Sequence, residues 1–306
     1  MSQKPKIIVI VGPTASGKSN LGVSLAKRFN GEVISADSRQ VYKGLDIGTG
    51  KITPAEMQGI PHHLIDVASP DSRFSVEKYK NRAEKKVGEI LKRGNTPIIV
   101  GGTGFYIEAL VDNILLPQVK PNLKLRRELS KKTPEELITL LQKADPRRAS
   151  NIDIKNTRRI IRALEIADSL GKTPVAKKDP LFEALFIGLN IEPVTLRERI
   201  AKRLRERIEA GMIKEAQKLH EEGLSWKRMD ELGLEYRYLA LHLKGKLTQE
   251  EMIAKLEFEI WHYAKRQLTW FKRDKRIQWL KPENVEEIEN KIKTFLVNEH
   301  SQQVLS

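Results

Sequence analysis

Short apolar runs alternate with amphipathic stretches over the first third of the chain. The run at residues 7–11 ends at Gly12 and Pro13 and is typical of a buried parallel strand. The same reasoning predicts strands at residues 32–36 and 97–100, a possible strand at 64–66, and helices from Lys18 and over about 76–93. Strands that alternate with helices indicate an α/β fold with a parallel sheet flanked by helices.

The pattern changes between residues 115 and 184. Strand signals vanish there, and apolar residues recur at helical spacing, as in Leu137, Leu140 and Leu141. A strand at 185–189 then resumes the sheet, and long amphipathic helices and a last possible strand at 277–280 follow. We therefore predict a catalytic core domain of residues 1–114 and 185–306, with a mainly helical insertion domain of residues 115–184.

Composition narrows the class of protein. The chain has 306 residues, 40% hydrophobic and 31% charged, which is typical of a globular protein of one large domain plus an insertion. It contains no cysteine, which excludes disulfides, thiolate zinc sites and cysteine nucleophiles. The N-terminus does not resemble a signal peptide, and no apolar run is long enough for a membrane span. We expect a cytoplasmic monomer.

The charge is large and unevenly distributed. The net charge of +15 favours a polyanionic partner, although many solvated lysines would give the same value. Residues 1–112 hold 16 Lys and Arg against 11 Asp and Glu, whereas residues 120–178 hold 16 against 7 and residues 260–281 hold 7 against 1. The last two segments are basic islands that lie outside residues 1–112, and they predict binding of a long anion such as nucleic acid.

Residues 12–19 match the phosphate-loop pattern G-x-x-x-x-G-K-[ST] between a predicted strand and a predicted helix. Backbone N–H groups of such a loop bind oxyanions, the lysine adds a full charge, and the serine can ligate Mg²⁺. The sequence thus predicts a P-loop NTPase-like α/β fold, a diphosphate site and a Mg²⁺ cofactor held at Ser19. The residues of the predicted diphosphate site are Gly12, Pro13, Thr14, Ala15, Ser16, Gly17, Lys18 and Ser19.

Two more polar turns follow predicted strands. One is Asp37-Ser38-Arg39-Gln40, and the other is Gly101-Gly102-Thr103-Gly104. Because ligands of parallel sheets bind outside the carboxyl ends of the strands, we expect both turns beside the phosphate loop. Asp37 suits a Mg²⁺ ligand, a general base or a helix cap. Thr103 suits close approach of a ligand or a plain strand-to-helix turn.

These turns belong to seven motifs that occur in order over nearly the whole chain, at residues 12–19, 37–42, 46–49, 61–66, 101–106, 158–165 and 265–271. In this respect the chain resembles the bacterial tRNA dimethylallyltransferases, also called tRNA isopentenyltransferases. The resemblance implies transfer of a dimethylallyl group from dimethylallyl diphosphate to the N6 amine of the adenosine 3′ of the anticodon. It implies Asp37 as general base, Thr103 near the reacting centre, and Lys18 and Mg²⁺ at the leaving diphosphate.

The resemblance also implies a set of residues that contact tRNA. In contrast, we interpret His62 and His63 as structural or polar-channel residues, because no second cluster has the spacing of metal ligands. The expected tRNA contacts are Asp37, Ser38, Arg39, Gln40, Thr103, Arg126, Arg158, Arg159, Ile160, Ile161, Arg162, Gly233, Tyr236, Arg237, Lys265, Arg266 and Gln267.

Three other functions compete with this one. The phosphate loop alone would suit a small-molecule phosphotransferase that uses ATP, but the basic islands and the turn around Thr103 argue against it. An isopentenyltransferase acting on free adenine nucleotides would need no large basic surface. A non-catalytic RNA-binding module would not need intact Lys18, Ser19 and Asp37.

Overall fold

A computed structural model describes residues 4–174 and 178–297. Residues 1–3, on which the signal-peptide expectation partly rests, lie outside the described residues. Residues 175–177 of the predicted insertion lie outside them as well. The described residues form two compact units, one from residues 4–113 and 180–297 and the other from residues 114–174 and 178–179. The second unit ends earlier than the predicted insertion, because the strand after it begins at Glu183.

The first unit is built on a six-stranded, all-parallel sheet with the order β3-β2-β4-β1-β5-β6, so the predicted α/β fold class is confirmed. Its strands are β1 Lys6–Val11, β2 Gly31–Ser35, β3 His62–His63, β4 Thr96–Gly101, β5 Glu183–Leu189 and β6 Gln278–Leu280.

Helices cover both faces of this sheet and make up the second unit. In the first unit they are α1 Lys18–Arg28, α2 Pro54–Met57, α3 Val76–Lys92, α4 Gly104–Val111, α9 Pro193–Glu209, α10 Met212–Glu221, α11 Trp226–Leu232, α12 Leu234–Leu243, α13 Gln249–Phe271 and α14 Val285–Val297. In the second unit they are α5 Leu123–Leu129, α6 Pro134–Ala144, α7 Pro146–Ala149 and α8 Thr157–Leu170.

Alternation along the central strand β1 gives the sheet two apolar faces. Ile8 and Ile10 pack with residues of α1 and α14, whereas Val9 and Val11 pack on the opposite face with residues of α3 and α4. Because both faces are covered, β1 is a continuous buried run.

A separate apolar cluster forms within helices α9 to α13. Val41, Tyr42 and Leu45 join this cluster from the segment that follows β2. Their burial anchors the chain just after Asp37. The sheet and the helical cluster therefore both restrain the segment that carries the predicted base.

The strand predicted at residues 64–66 is wrong. Strand β3 ends at His63, and Leu64 and Asp66 have φ angles of 61° and 56°, in the left-handed region that a strand cannot use. The backbone turns here because Asp66 serves other partners. Its N–H donates to the Gln40 carbonyl at 3.2 Å, and its carboxylate accepts from Lys51 Nζ at 2.5 Å.

Candidate active site

Strand register brings the three predicted turns to one edge of the sheet. Val11 at the end of β1 pairs with Gly101 at the end of β4, and Ser35 at the end of β2 pairs with Val100. The phosphate loop, the Asp37 turn and the Thr103 turn therefore leave adjacent strands at the same level. The predicted convergence is confirmed by this register.

The phosphate loop has the backbone shape of an anion site. Ala15 and Gly17 have φ angles of 60° and 87°, and left-handed residues of this kind turn successive N–H groups inward. Gly17 precedes α1 and provides no capping side chain, which leaves the positive end of α1 for an anion.

Lys18 folds back over this loop. Its Nζ donates to the Pro13 carbonyl at 2.6 Å and to Ser16 Oγ at 3.4 Å. Burial lowers the pKa of Lys18 to about 8, with Asp37 raising the value and Arg203 lowering it. A carboxylate and a second cation thus act on the Lys18 amine.

Hydrogen bonds join the Asp37 turn to the Thr103 turn. Asp37 Oδ1 accepts from the N–H groups of Arg39 at 2.7 Å and Gln40 at 3.3 Å, which is an Asx turn and not a helix cap, since no helix begins here. The Ser38 N–H donates to Thr103 Oγ1 at 3.0 Å, and the Thr103 N–H donates to the Ala36 carbonyl at 3.0 Å. Asp37 and Thr103 are therefore held as one rigid pair.

Gln267 of α13 links the phosphate loop to the same assembly. Its Oε1 accepts from the Thr14 N–H at 2.8 Å, and its Nε2 donates to the Gly102 carbonyl at 3.0 Å. The side chain is only 6% exposed. Gln267, expected to contact tRNA, is thus a buried bridge between two of the turns.

The glycines of the Thr103 turn make room for protein atoms. A Cβ on Gly101 would lie 2.2 Å from the Ala36 carbonyl oxygen, and one on Gly102 would lie 2.1 Å from Gln267 Nε2. A Cβ on Gly104 would lie 2.2 Å from Trp270. Close packing against the protein, and not approach of a ligand, accounts for these glycines.

Known proteins share this architecture. The chain matches the IPP transferase family over residues 40–274. It is 43% identical to tRNA dimethylallyltransferase 1 of Syntrophus aciditrophicus, over 94% of this chain and 97% of that protein. The chain belongs to the IPP transferase family. The resemblance carried by the seven sequence motifs is thereby confirmed.

Solved structures agree with this membership in the IPP transferase family. The tRNA isopentenylpyrophosphate transferase of Bacillus halodurans is 39% identical, with a TM-score of 0.73 over 96% of this chain and 97% of that one. A eukaryotic dimethylallyltransferase acting on tRNA is 26% identical, with a TM-score of 0.77 over 96% of this chain and 78% of that one.

Two arginines of α9 join the site of this IPP transferase and were missed by the sequence reasoning. Arg203 lies close enough to Lys18 to lower its pKa. Loss of solvent and the charge of Arg207 lower the pKa of Arg203 itself. Arg207 Nη1 donates to the Gly48 carbonyl at 2.9 Å and to Glu235 Oε1 at 3.2 Å. Their spacing of four residues was a signal, but it is hidden among the many charges of α9.

Tyr263 of α13 was also missed. Burial raises the pKa of Tyr263, and Asp37 raises it further, so the phenol lies near that carboxylate. The guanidinium of Arg266 stacks over its ring at 6.0 Å. Its place one turn before Gln267 was the available signal.

The residues expected to contact tRNA near α12 and α13 divide into two groups. Lys265 and Arg266 are exposed on α13. Tyr236 is only 1% exposed and donates its hydroxyl to Glu215 at 2.7 Å, so its side chain is not placed to contact tRNA. Arg237 pairs with Asp230 at 2.7 Å, and Gly233 forms the left-handed link between α11 and α12.

A similar division appears within the second unit. Arg158 and Arg159 are exposed on α8, whereas Ile160 is fully buried and Ile161 packs against the core of that unit. The Ile160 side chain fills the apolar core of this unit, and the expected tRNA contact at residue 160 stays a prediction.

Arg126 and Arg162 are engaged by a buried carboxylate in that unit. Arg126 donates to Glu165 through Nε at 2.9 Å and Nη2 at 2.7 Å, and Arg162 Nη1 donates to the same carboxylate. Burial alone would raise the pKa of Glu165, but hydrogen bonds from the two arginines hold it below its usual value. These arginines stabilise the unit.

The histidines have protein partners. His63 contacts Glu32 at 2.6 Å, and His62 Nδ1 contacts the Ile60 carbonyl at 2.8 Å. Across residues 4–174 and 178–297 no group of three or more His, Cys, Asp or Glu side chains could hold a metal.

In the same part of the chain, no helix is long and apolar enough to span a membrane.

Proposed function

We propose that this IPP transferase moves the dimethylallyl group of dimethylallyl diphosphate to the exocyclic N6 amine of the adenosine 3′ of the anticodon in tRNA. The observation that carries the proposal is the hydrogen bonding among the three turns. Gln267 joins the phosphate loop to the Thr103 turn, and Thr103 accepts from the turn that carries Asp37. Relatives named tRNA dimethylallyltransferase support the substrate class.

The diphosphate occupies the phosphate loop in this proposal. Loop N–H groups, Lys18 and Arg203 surround the leaving group and stabilise its charge as the carbon–oxygen bond breaks, which is electrostatic catalysis at a preorganised site. The exposed Ser19 hydroxyl at the start of α1 and the diphosphate oxygens fit Mg²⁺, which commonly binds through substrate phosphates. Bound there, Mg²⁺ supplies further neutralisation of the diphosphate.

The adenosine amine meets the allylic carbon beside Asp37. This amine is a weak nucleophile because its lone pair is delocalised into the ring. Asp37 acts as the general base, and it takes an N6 proton as the nitrogen–carbon bond forms. Thr103 Oγ1 accepts from the Ser38 N–H, which leaves its own hydroxyl proton to donate to the substrate.

The adenosine has to leave its stack to reach this edge of the sheet. Extruding a base costs a few kcal/mol, and least in a single-stranded loop such as the anticodon. Exposed cations on α13 and α8, among them Lys265, Arg266 and Arg158, provide phosphate contacts. We further propose that the protein acts as a monomer in the cytoplasm.

One incubation tests the proposal. The protein is incubated with unmodified tRNA, dimethylallyl diphosphate and Mg²⁺. The tRNA is then digested, and its nucleosides are identified by mass spectrometry. We expect N6-isopentenyladenosine and free diphosphate. Parallel arms replace tRNA with an adenine nucleotide, or the prenyl donor with ATP and a small acceptor. Product in one of those arms, without modified tRNA, would establish a competing function.

A further inference from the structure

Glu215 of α10 binds three successive backbone N–H groups. Its Oε2 accepts from Asp46 at 3.1 Å and Ile47 at 2.7 Å, and its Oε1 accepts from Gly48 at 2.9 Å. The buried Tyr236 hydroxyl adds a fourth hydrogen bond to Oε1 at 2.7 Å. The Glu215 carboxylate thus accepts four hydrogen bonds, three from the turn of residues 46–50 and one from Tyr236.

This arrangement is strong and specific. Hydrogen bonds to an ionised carboxylate are roughly twice as strong as neutral ones. Burial, together with Glu215, raises the pKa of Tyr236, so the phenol stays a neutral donor. A Cβ on Gly48 would lie 2.6 Å from the Tyr236 hydroxyl oxygen, so the turn closes only with glycine there.

The turn of residues 46–50 contacts residues of the candidate active site. The Gly48 carbonyl accepts from Arg207 Nη1 at 2.9 Å, and the Gly50 carbonyl accepts from Gln40 Nε2 at 3.3 Å. A Cβ on Gly50 would lie 3.4 Å from Arg203 Nη2 and 3.7 Å from Arg207 Nη1. The turn therefore lies against the guanidinium groups of both arginines.

The two arginines have the character of an anion site. Their charges repel, since Arg207 lowers the pKa of Arg203, and Arg203 in turn acts on Lys18. Arg207 Nε is buried and has no hydrogen-bond partner among the described residues. Cations that crowd together beside a phosphate loop are stabilised when a multiply charged anion binds.

We propose that Glu215 is a positioning residue for the prenyl diphosphate. It orders the turn of residues 46–50, and the Gly48 carbonyl of that turn holds Arg207 beside Arg203. This inference rests on the proposed function, because it takes dimethylallyl diphosphate as the anion. Its distinctive claim is that Glu215 acts on diphosphate affinity through Arg207.

A double-mutant cycle tests the claim. Dimethylallyl diphosphate with Mg²⁺ and no tRNA is titrated by calorimetry into wild type, Glu215→Gln, Arg207→Met and the double variant. We expect each single change to raise Kd about tenfold, and the double variant to differ from either single by less than about threefold, because coupled sites are non-additive. Glu222→Gln, which removes an exposed carboxylate paired with Lys218, is the matched control and should leave Kd unchanged.

Other results would overturn the inference. A Kd for Glu215→Gln within twofold of wild type, or multiplicative losses in the double variant, would show that Glu215 only stabilises the fold. A purely structural role would lower the melting temperature and the number of binding sites while Kd stayed constant. If Glu215→Gln does not fold, Tyr236→Phe removes one of the four donors and should raise Kd about fivefold, and a Kd equal to that of wild type would overturn the inference.

The proposed function is separable in the same experiment. A wild-type protein that neither binds dimethylallyl diphosphate nor prenylates tRNA would refute the proposed function together with the inference. A wild-type protein that binds it and prenylates tRNA, with Glu215→Gln binding equally well, would refute the inference alone.

Discussion

The edge of the sheet and the second unit both contain residues expected from the family motifs, but they differ in how those residues are held. At the sheet edge, Thr103 and Gln267 bond to partners on other elements, and the bonds join three turns into one assembly. In the second unit, Arg126 and Arg162 donate hydrogen bonds to the buried Glu165 carboxylate, whereas Arg158 and Arg159 are exposed.

The difference separates two kinds of positive or polar residue. A side chain at the end of a parallel strand is placed by the sheet, so its position follows from the fold. A charge on a helix can face solvent or pair with a buried acid, and both choices look the same in the sequence. The predictions below test whether the first group acts in chemistry and the second divides into binding and stabilising residues.

The largest effect should come from Asp37→Asn. The amide oxygen can still accept from the Arg39 and Gln40 N–H groups, so the turn should persist. Loss of the base should lower kcat by about 10²- to 10⁴-fold, the range for general-base catalysis. Single-turnover kinetics with tRNA and dimethylallyl diphosphate measure this, with tRNA affinity as the control. An unchanged kcat would show that Asp37 is not the general base and that it only stabilises the turn of residues 37–40.

Lys18 should give the site a pH dependence. Burial lowers its pKa to about 8, so the cation is present at pH 7 and is lost as the pH rises through 8. Because the charged form binds the diphosphate, kcat/KM should fall about tenfold per pH unit above that value. Lys18→Arg keeps its charge over this range and should show no fall near pH 8. The same fall in both proteins would assign the titration to another group.

Gln267→Leu should have a smaller effect at the sheet edge. The change leaves the Thr14 N–H and the Gly102 carbonyl without their partner, at a cost of about 1–3 kcal/mol for each buried group left unsatisfied. We expect a lower melting temperature and roughly a tenfold loss of diphosphate affinity. Thr269→Val, two residues along α13 and exposed, is the control. Equal affinities for wild type and Gln267→Leu would contradict the bridging role.

The sequence predicts the sheet edge well for a physical reason. Buried parallel strands read as continuous apolar runs, and the polar residues after them have to meet at one edge. The failure at residues 64–66 is equally physical, since Leu64 is buried in a left-handed turn and its apolar side chain imitates a strand residue. Tyr236 and Ile160 were expected to contact tRNA, but their side chains are buried. A motif does not distinguish a side chain that contacts a ligand from one that packs beneath it.

Long-range partners account for most of what the sequence could not predict. Arg203 acts on Lys18, which is 185 positions earlier in the chain, and Glu215 binds the turn at residues 46–48. Such pairs depend on the fold of α9 and α10 against the segment after Asp37, and no local pattern specifies them. Their side chains also resemble the solvated charges that surround them in the sequence.

The smallest predicted effect separates the two arginine pairs of the second unit. Arg158→Gln with Arg159→Gln removes two exposed charges, and the slope of log K against log salt for tRNA should fall by about 1.4–1.8 if both contact phosphate. Stability should change by less than about 0.5 kcal/mol, as for other exposed positions.

Arg126→Gln is the matched comparison for that pair. It removes a bidentate partner of the buried Glu165 carboxylate, so the melting temperature should fall clearly. The slope of log K against log salt should change by less than the value for one phosphate contact, about 0.7–0.9. Both variants replace arginine with glutamine in the same unit, at two exposed positions in one variant and at one half-buried, paired position in the other. An unchanged slope in the Arg158 and Arg159 variant, with a reduced slope in Arg126→Gln, would reverse the assignment and make Arg126 the tRNA contact.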